Sequence, residues 1–136
     1  MIHVRQVTPQ DMPMLRGWAA QRGLELHDPL LSPYGFLATG ADDAPVMAVW
    51  AYMILDVPII QLDHLLSAPG SNMAGIREAW SAIADAVAAW MRELNARSAL
   101  GYCLIRAFTA PRIAAEAARH GWHHADSPLH CIHYVL

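Results

Sequence analysis

Apolar and polar residues alternate over Ile2–Val7, the period-two pattern of a strand with one buried face. Thr8-Pro9-Gln10-Asp11 then predicts a helix start, with Thr8 as cap, Pro9 at the first position and Asp11 near the positive end of the dipole. Met12, Leu15, Trp18 and Ala19 recur at helical spacing as the buried stripe, and Gly23 closes the helix. Prolines 29 and 33 make Leu24–Pro33 a loop or a short, poorly regular helix. Tyr34–Thr39 reads as a strand, Gly40–Ala44 as a turn and Pro45–Leu55 as a long strand. The near-continuous apolar sequence of that last strand predicts cover on both faces. Asp56-Val57-Pro58 turns the chain into a strand over Ile59–Ser67, extending an antiparallel meander.

Ala68-Pro69-Gly70-Ser71-Asn72 is a loop that runs into the longest helix, about Met73–Ala96. Its stripe of Ile76, Trp80, Ile83, Val87, Trp90, Met91 and Leu94 is spaced three and four apart, which is core packing. Leu100–Phe108 reads as a strand and Pro111–His120 as a helix closed by Gly121. Trp122–Ala125 and Leu129–Leu136 read as two final strands around Asp126-Ser127-Pro128. The order is β-α-β-β-β-α-β-α-β-β, an α/β (α+β) fold with a mixed, mostly antiparallel central sheet flanked by helices. The helix between the fourth and fifth strands makes that pair parallel. No repeat, linker or low-complexity tract interrupts the pattern, so residues 1–136 read as one domain.

Composition narrows the function classes. With 55% hydrophobic and 15% charged residues in 136, the chain has enough apolar surface to offset its ordering entropy, which excludes disorder. The longest apolar run, Val46–Leu55, stops at Asp56, far short of the ~20 residues a bilayer span needs. The opening Met-Ile-His-Val-Arg shows no basic stretch followed by an apolar one, and Cys103 and Cys131 lie far apart. A cytoplasmic protein with free thiols is the expectation. All nine basic residues are arginine, so lysine Schiff-base and lysine-nucleophile chemistry is excluded for its own side chains. A net charge of −3 argues against broad nucleic-acid binding.

Three joints carry a resemblance: Thr8-Pro9-Gln10-Asp11 opening the first helix, the strand Ile59–Ser67 entering a loop and long helix, and Arg112–Trp122 as a helix ending in Gly-aromatic. In this order they resemble the GNAT acyltransferase superfamily over essentially the whole chain. The resemblance implies acetyl-CoA as co-substrate and transfer of an acetyl group to a small-molecule or protein amine. It places the pyrophosphate on the segment Ser71, Asn72, Met73, Ala74, Gly75, Ile76 and Arg77, where backbone N–H groups converge at a helix start. The family pattern Arg/Gln-x-x-Gly-x-Gly/Ala is met at Gly75, with Asn72 and Arg77 departing from it. Main-chain groups of Asp63–Leu66, Leu65 and Leu66 included, would hold the pantetheine arm.

Acyl transfer to an amine needs a base for the ammonium proton and an acid for the leaving thiolate. The resemblance places the base at Asp63, mid-strand in Ile60-Gln61-Leu62-Asp63-His64-Leu65, where a buried carboxylate is expected. Strict alternation would turn His64 to the opposite face. Ala117 stands where the family's acidic tyrosine would, leaving Tyr102 or Tyr134 as substitutes. His27 and Asp28 lie on the loop where the acceptor docks in the family.

Other chemistry is weaker. His120, His123, His124, His130 and His133 crowd the end of the chain with Cys131, but in no recognised zinc spacing, so no metal is assigned. Cys103 sits mid-strand without a sequence-adjacent base. Trp18, Trp50, Trp80, Trp90 and Trp122 read as core or interface anchors. The leading function is acyl-CoA-dependent N-acetyl transfer. The alternatives are a catalytically inactive GNAT-like binding or interaction module and, third, a histidine-based metal protein. A homodimer is left open.

Overall fold

The computed structural model describes residues 1–107, 111–119 and 121–123. Its elements are β1 (His3–Gln6), α1 (Met12–Ala20), β2 (Gly35–Thr39), β3 (Pro45–Met53), β4 (Ile59–Ser67), α2 (Met73–Arg97), β5 (Leu104–Ala107) and α3 (Pro111–Ala118). The strands form one mixed sheet in the order β1-β2-β3-β4-β5, antiparallel except for the β4–β5 pair. The expected mixed, mostly antiparallel sheet flanked by helices is therefore what the chain builds.

The α1 start works as the sequence indicates, with one addition. A 3-10 turn, Pro9–Asp11, precedes the α-helix. The Thr8 N–H and hydroxyl both donate to Asp11 Oδ2 at 2.8 Å, and Arg5 clamps the same carboxylate with bonds of 2.7 and 2.8 Å. That clamp, opposed by burial and helped by Thr8, holds the Asp11 carboxyl well below the usual carboxylate range. Leu24–Pro33 is a loop with a single 3-10 turn at Asp28–Leu30.

Each sheet face carries its own core. On one, α1 sets Leu15, Trp18 and Ala19 against Leu37, Ala48, Trp50 and Leu66. On the other, α2 sets Ala79, Trp80, Ile83 and Val87 against Phe36, Ala38, Met47, Val49, Ala51, Ile60 and Leu62. Met47 through Ala51 are all buried, so β3 has the two covered faces its apolar run demanded. Ala117 of α3 and Trp122 join the α2 side, where the Trp80 and Trp122 ring centroids lie 5.2 Å apart. Among the described residues, no helix is long and apolar enough to cross a membrane.

Several boundaries differ from expectation. The strand expected over Leu100–Phe108 begins only at Leu104. Asn95 is the reason: its side-chain amide donates to the Tyr102 carbonyl and its oxygen accepts the Tyr102 N–H, both at 2.7 Å. This tie holds Tyr102 to the end of α2, and the chain first meets the start of β4 at Cys103, whose N–H donates to the Pro58 carbonyl at 3.0 Å. β3 ends at Met53 rather than Leu55, as the chain turns toward Pro58. Trp122 and His123 are described and carry no strand pairing. The remainder of the two final strands, residues 124–136, lies outside the described residues, as do Tyr134, Cys131 and His120, His124, His130 and His133.

Candidate active site

The site grows from an irregularity in β4. Ala48 pairs with Leu66 and Trp50 with Asp63, so the single residue Val49 on β3 faces both His64 and Leu65. That is a β-bulge, one extra residue on β4. His64 takes the left-handed conformation, φ +55°, which histidine adopts more readily than most side chains but still at a cost of about 1 kcal/mol or more.

The bulge overturns two expectations about Asp63 and His64. Strict alternation would separate them, but the extra residue puts both on the α1 side of the sheet. Asp63 lies across from Trp50, and the His64 ring sits 6.3 Å from the Trp50 ring and 6.0 Å from that of Tyr52, centroid to centroid. Asp63 is also not a buried carboxylate: its side chain is 55% exposed, against 30% for His64. Asp63 Oδ1 accepts the main-chain N–H of His64 at 2.7 Å and lies 3.7 Å from His64 Nδ1. The second distance is too long for a hydrogen bond and short enough for charge attraction.

Beyond the bulge the alternation resumes one residue out of step. Leu65 packs on the α2 side and Leu66 is fully buried on the α1 side. Their side chains are thus committed to the two cores, and only their main-chain groups remain to meet a ligand. On the opposite edge, β4 pairs with β5 from Ile59↔Leu104 to Leu62↔Ala107. Arg106 Nε donates to Gln61 Oε1 at 2.7 Å near the end of that ladder.

Five residues past Ser67 the chain reaches the α2 N-terminus. Asn72 is the cap, its Oδ1 accepting the Gly75 N–H at 2.8 Å. A side-chain carbon added at Gly75 would meet only that oxygen, at 3.4 Å, so the first turn is otherwise open. Ser71 is half-buried; Asn72, Ala74 and Arg77 are exposed; Met73 and Ile76 are half-buried. Arg22, which sequence reasoning passed over, joins the end of α1 to the end of β4. Its Nη2 donates to the Ser67 carbonyl at 2.7 Å and hydroxyl at 2.8 Å, and its Nη1 to the Trp18 carbonyl at 3.0 Å.

The acceptor-side candidates sit on the loop that closes over this face. Asp28 is paired with Arg16 of α1, Nη2 to Oδ1 at 2.6 Å, and His27 Nε2 lies 3.7 Å from Glu25 Oε2. Both side chains are engaged with their own surroundings. The loop's link to the site runs instead through Tyr52, whose hydroxyl donates to the Leu30 carbonyl at 3.2 Å. Burial raises the Tyr52 pKa above its ordinary value, the Ser32 main chain opposes this, and the Asp63 charge adds to it. Tyr52 and Trp50 share one face of β3 as i and i+2, so the strand pattern alone paired them. What the sequence lacked was any Gly, Pro or Asn to flag the bulge that brings His64 onto them.

Tyr102 does not join the cluster, which corrects its candidacy as the acid. It is 3% exposed, precedes β5, and its hydroxyl faces the Ile54 carbonyl at 3.5 Å. Ile54 lies four residues beyond Trp50, about 13 Å along the strand direction from the Asp63 level. Ala117 is 4% exposed among the α2-side core residues. Cys103 is exposed, with its Sγ 3.7 Å from the Pro58 carbonyl. Among the described residues, no group of three or more His, Cys, Asp or Glu side chains is placed to hold a metal.

The antiparallel meander β1–β4, the capped start of α2 and the parallel crossover to β5 give this chain a fold shared with solved N-acetyltransferases. Solved structures agree. Rv2747 from Mycobacterium tuberculosis, in complex with CoA and NLQ, superposes with a TM-score of 0.67 at 17% identity, covering 94% of this chain and 76% of that one. The aminoglycoside N-acetyltransferase AAC(6')-Iy, in complex with CoA, gives 0.65 at 18% identity, over 98% of this chain and 100% of that one. The aminoglycoside 6'-N-acetyltransferase AAC(6')-Ih from Acinetobacter baumannii gives 0.65 at 11% identity, over 99% of each. No protein-family model and no curated protein matches the sequence.

Proposed function

We propose that this protein is an acyl-CoA-dependent N-acetyltransferase acting on a primary amine. The observation that carries the reading is the β4 bulge, which leads through Ser67 into the α2 start. The main chain at Asp63–Leu66 departs from the regular ladder there, and it would hold an extended amide-bearing pantetheine arm by strand-like hydrogen bonds. The open first turn of α2, from Ser71 to Arg77, would take the pyrophosphate on main-chain N–H groups at the positive end of the helix dipole. The fit is incomplete at one donor, since Asn72 already accepts the Gly75 N–H. The Asp63–His64 corner on the α1 side would receive the ammonium proton, beside the Leu30 loop where the amine enters. Coenzyme A complexes of Rv2747 and AAC(6')-Iy support the choice of co-substrate, and aminoglycoside acceptors in the neighbouring folds support a small-molecule amine.

A second reading, a CoA-binding or interaction module without turnover, is favoured by that Asn72–Gly75 bond and by a buried alanine at position 117. Isothermal titration with acetyl-CoA separates the readings from a protein of another kind. Heat of binding, with thermal stabilisation at millimolar ligand, is the expected result. No heat and no stabilisation would remove both.

A further inference from the structure

We propose that His64, rather than Asp63, is the group that takes the proton of the acceptor amine, and that Asp63 is its positioning residue. The inference rests on the N-acetyltransferase reading above and divides the labour within its site. Three features of the bulge lead to it.

First, the exposed Asp63 carboxylate is tied to its own backbone. Its Oδ1 is engaged by the His64 N–H at 2.7 Å, which fixes the carboxylate against the bulge. Second, the same oxygen stands 3.7 Å from His64 Nδ1, so a proton gained by the imidazole is met by a negative charge on that side. Nε2, the other ring nitrogen, is left on the side away from Asp63. Third, the ring is confined between aromatic neighbours, with Trp50 buried beneath it and Tyr52 beside it, while 30% of the side chain stays exposed. The φ of +55° at His64 is the backbone departure that carries its ring to the Trp50 and Tyr52 side of the sheet. Tyr52 and Asp63 are the titratable groups that face the imidazole from β3 and β4. The Leu30 segment over Tyr52 contributes a carbonyl, and the loop carboxylate Asp28 is paired with Arg16.

The chemistry balances at His64. Nε2 accepts one proton from the acceptor ammonium, and the neutral nitrogen then attacks the thioester carbon, forming the C–N bond. The C–S bond breaks with its electron pair on sulfur, and the second nitrogen proton passes to the thiolate as the amide forms. The imidazolium returns its proton to solvent through its exposed edge. Imidazole can accept a proton at one ring nitrogen while the other keeps its hydrogen-bonding role, which suits a base positioned by a neighbouring carboxylate.

The test measures CoA thiol release from acetyl-CoA with butylamine, benzylamine and an aminoglycoside as probes, together with acetyl-CoA affinity by titration calorimetry. For the His64→Gln variant, kcat should fall about 100-fold or more while acetyl-CoA affinity stays within threefold. Free imidazole should restore turnover to His64→Ala, a rescue that a packing role would not give. Asp63→Asn should lose less than His64→Gln and shift the pH profile of kcat. If His64→Gln keeps kcat within twofold while Asp63→Asn loses 100-fold, the assignment is overturned and Asp63 is the base. A wild-type protein that binds acetyl-CoA but releases no thiol with any probe also overturns it. A wild-type protein that does not bind acetyl-CoA defeats the transferase reading itself, a distinguishable failure.

Discussion

Gly35 supports the aromatic floor of the site, and its replacement by alanine is the sharpest test of how that floor is packed. A Cβ at Gly35 would stand 2.8 Å from Trp50 Nε1 and 2.9 Å from both Cβ and Cγ2 of Val7. Two of the three offending atoms are not far ends of flexible chains: Val7 Cβ is tied to its backbone, and the indole is 2% exposed between α1 and the sheet. Neither can withdraw without moving β1 or lifting the ring toward His64. Overpacking of this kind costs about 1–3 kcal/mol. In a chain of this size each kcal/mol lowers Tm by roughly 3–5 °C, so Gly35→Ala should melt some 3–15 °C below the wild type. Differential scanning calorimetry reads this directly. Trp50→Phe, which deletes the clashing nitrogen, should be less than additive with Gly35→Ala, the pair falling short of the sum by about 1 kcal/mol. A Tm within 1 °C of wild type, or full additivity in the pair, would refute the packing described here.

Three further outcomes follow from the same contacts. Asp11→Asn should destabilise by about 1 kcal/mol at neutral pH, because the exposed side of the Arg5 clamp is screened by solvent. Since folding depresses the Asp11 pKa, its contribution is present above the unfolded carboxyl range near 4 and is lost as pH falls below it, so urea midpoints of wild type and variant should converge in acid. Tyr52→Phe should cost about 0.5–1.5 kcal/mol and speed amide exchange around Leu30, where the hydroxyl now ties the loop; unchanged exchange would remove that tie. The raised Tyr52 pKa adds a sign: its contribution is full below pH 10 and lost as pH rises past the folded value, so wild type should weaken more than Tyr52→Phe in alkali. Asn95→Ala breaks two 2.7 Å bonds to the buried Tyr102 main chain and should cost about 1–3 kcal/mol by chemical denaturation, with loss below 0.5 kcal/mol contradicting the tie.

The hydrophobic pattern revealed elements because burial in this chain is periodic: the α2 stripe at 76, 80, 83 and 87 could face only a sheet, and β3 could lie only between two layers. The strand Ile59–Ser67 was legible to the residue, since Asp56-Val57-Pro58 and Pro69-Gly70 bracket it. The same periodicity failed at the β4 bulge. Alternation assigns faces on the premise of one residue per pleat, and the extra residue at His64 breaks that premise without any turn-forming side chain to announce it. Asp63 stands out in the sequence through the family resemblance and as a carboxylate inside an apolar strand; His64 is assigned the opposite face by alternation, and Tyr52 is unremarkable until the bulge brings the imidazole beside it. Tyr102 failed for the opposite reason. Its sequence position suits a strand, and only the two hydrogen bonds from Asn95, seven residues upstream, withdraw it from the sheet. Local pattern reports which side chains must be buried, whereas which polar side chains meet depends here on where the backbone departs from its own period. Here that departure is one extra residue at His64, and it sets the imidazole beside Trp50 and Tyr52 on the α1 face at a backbone cost of about 1 kcal/mol or more.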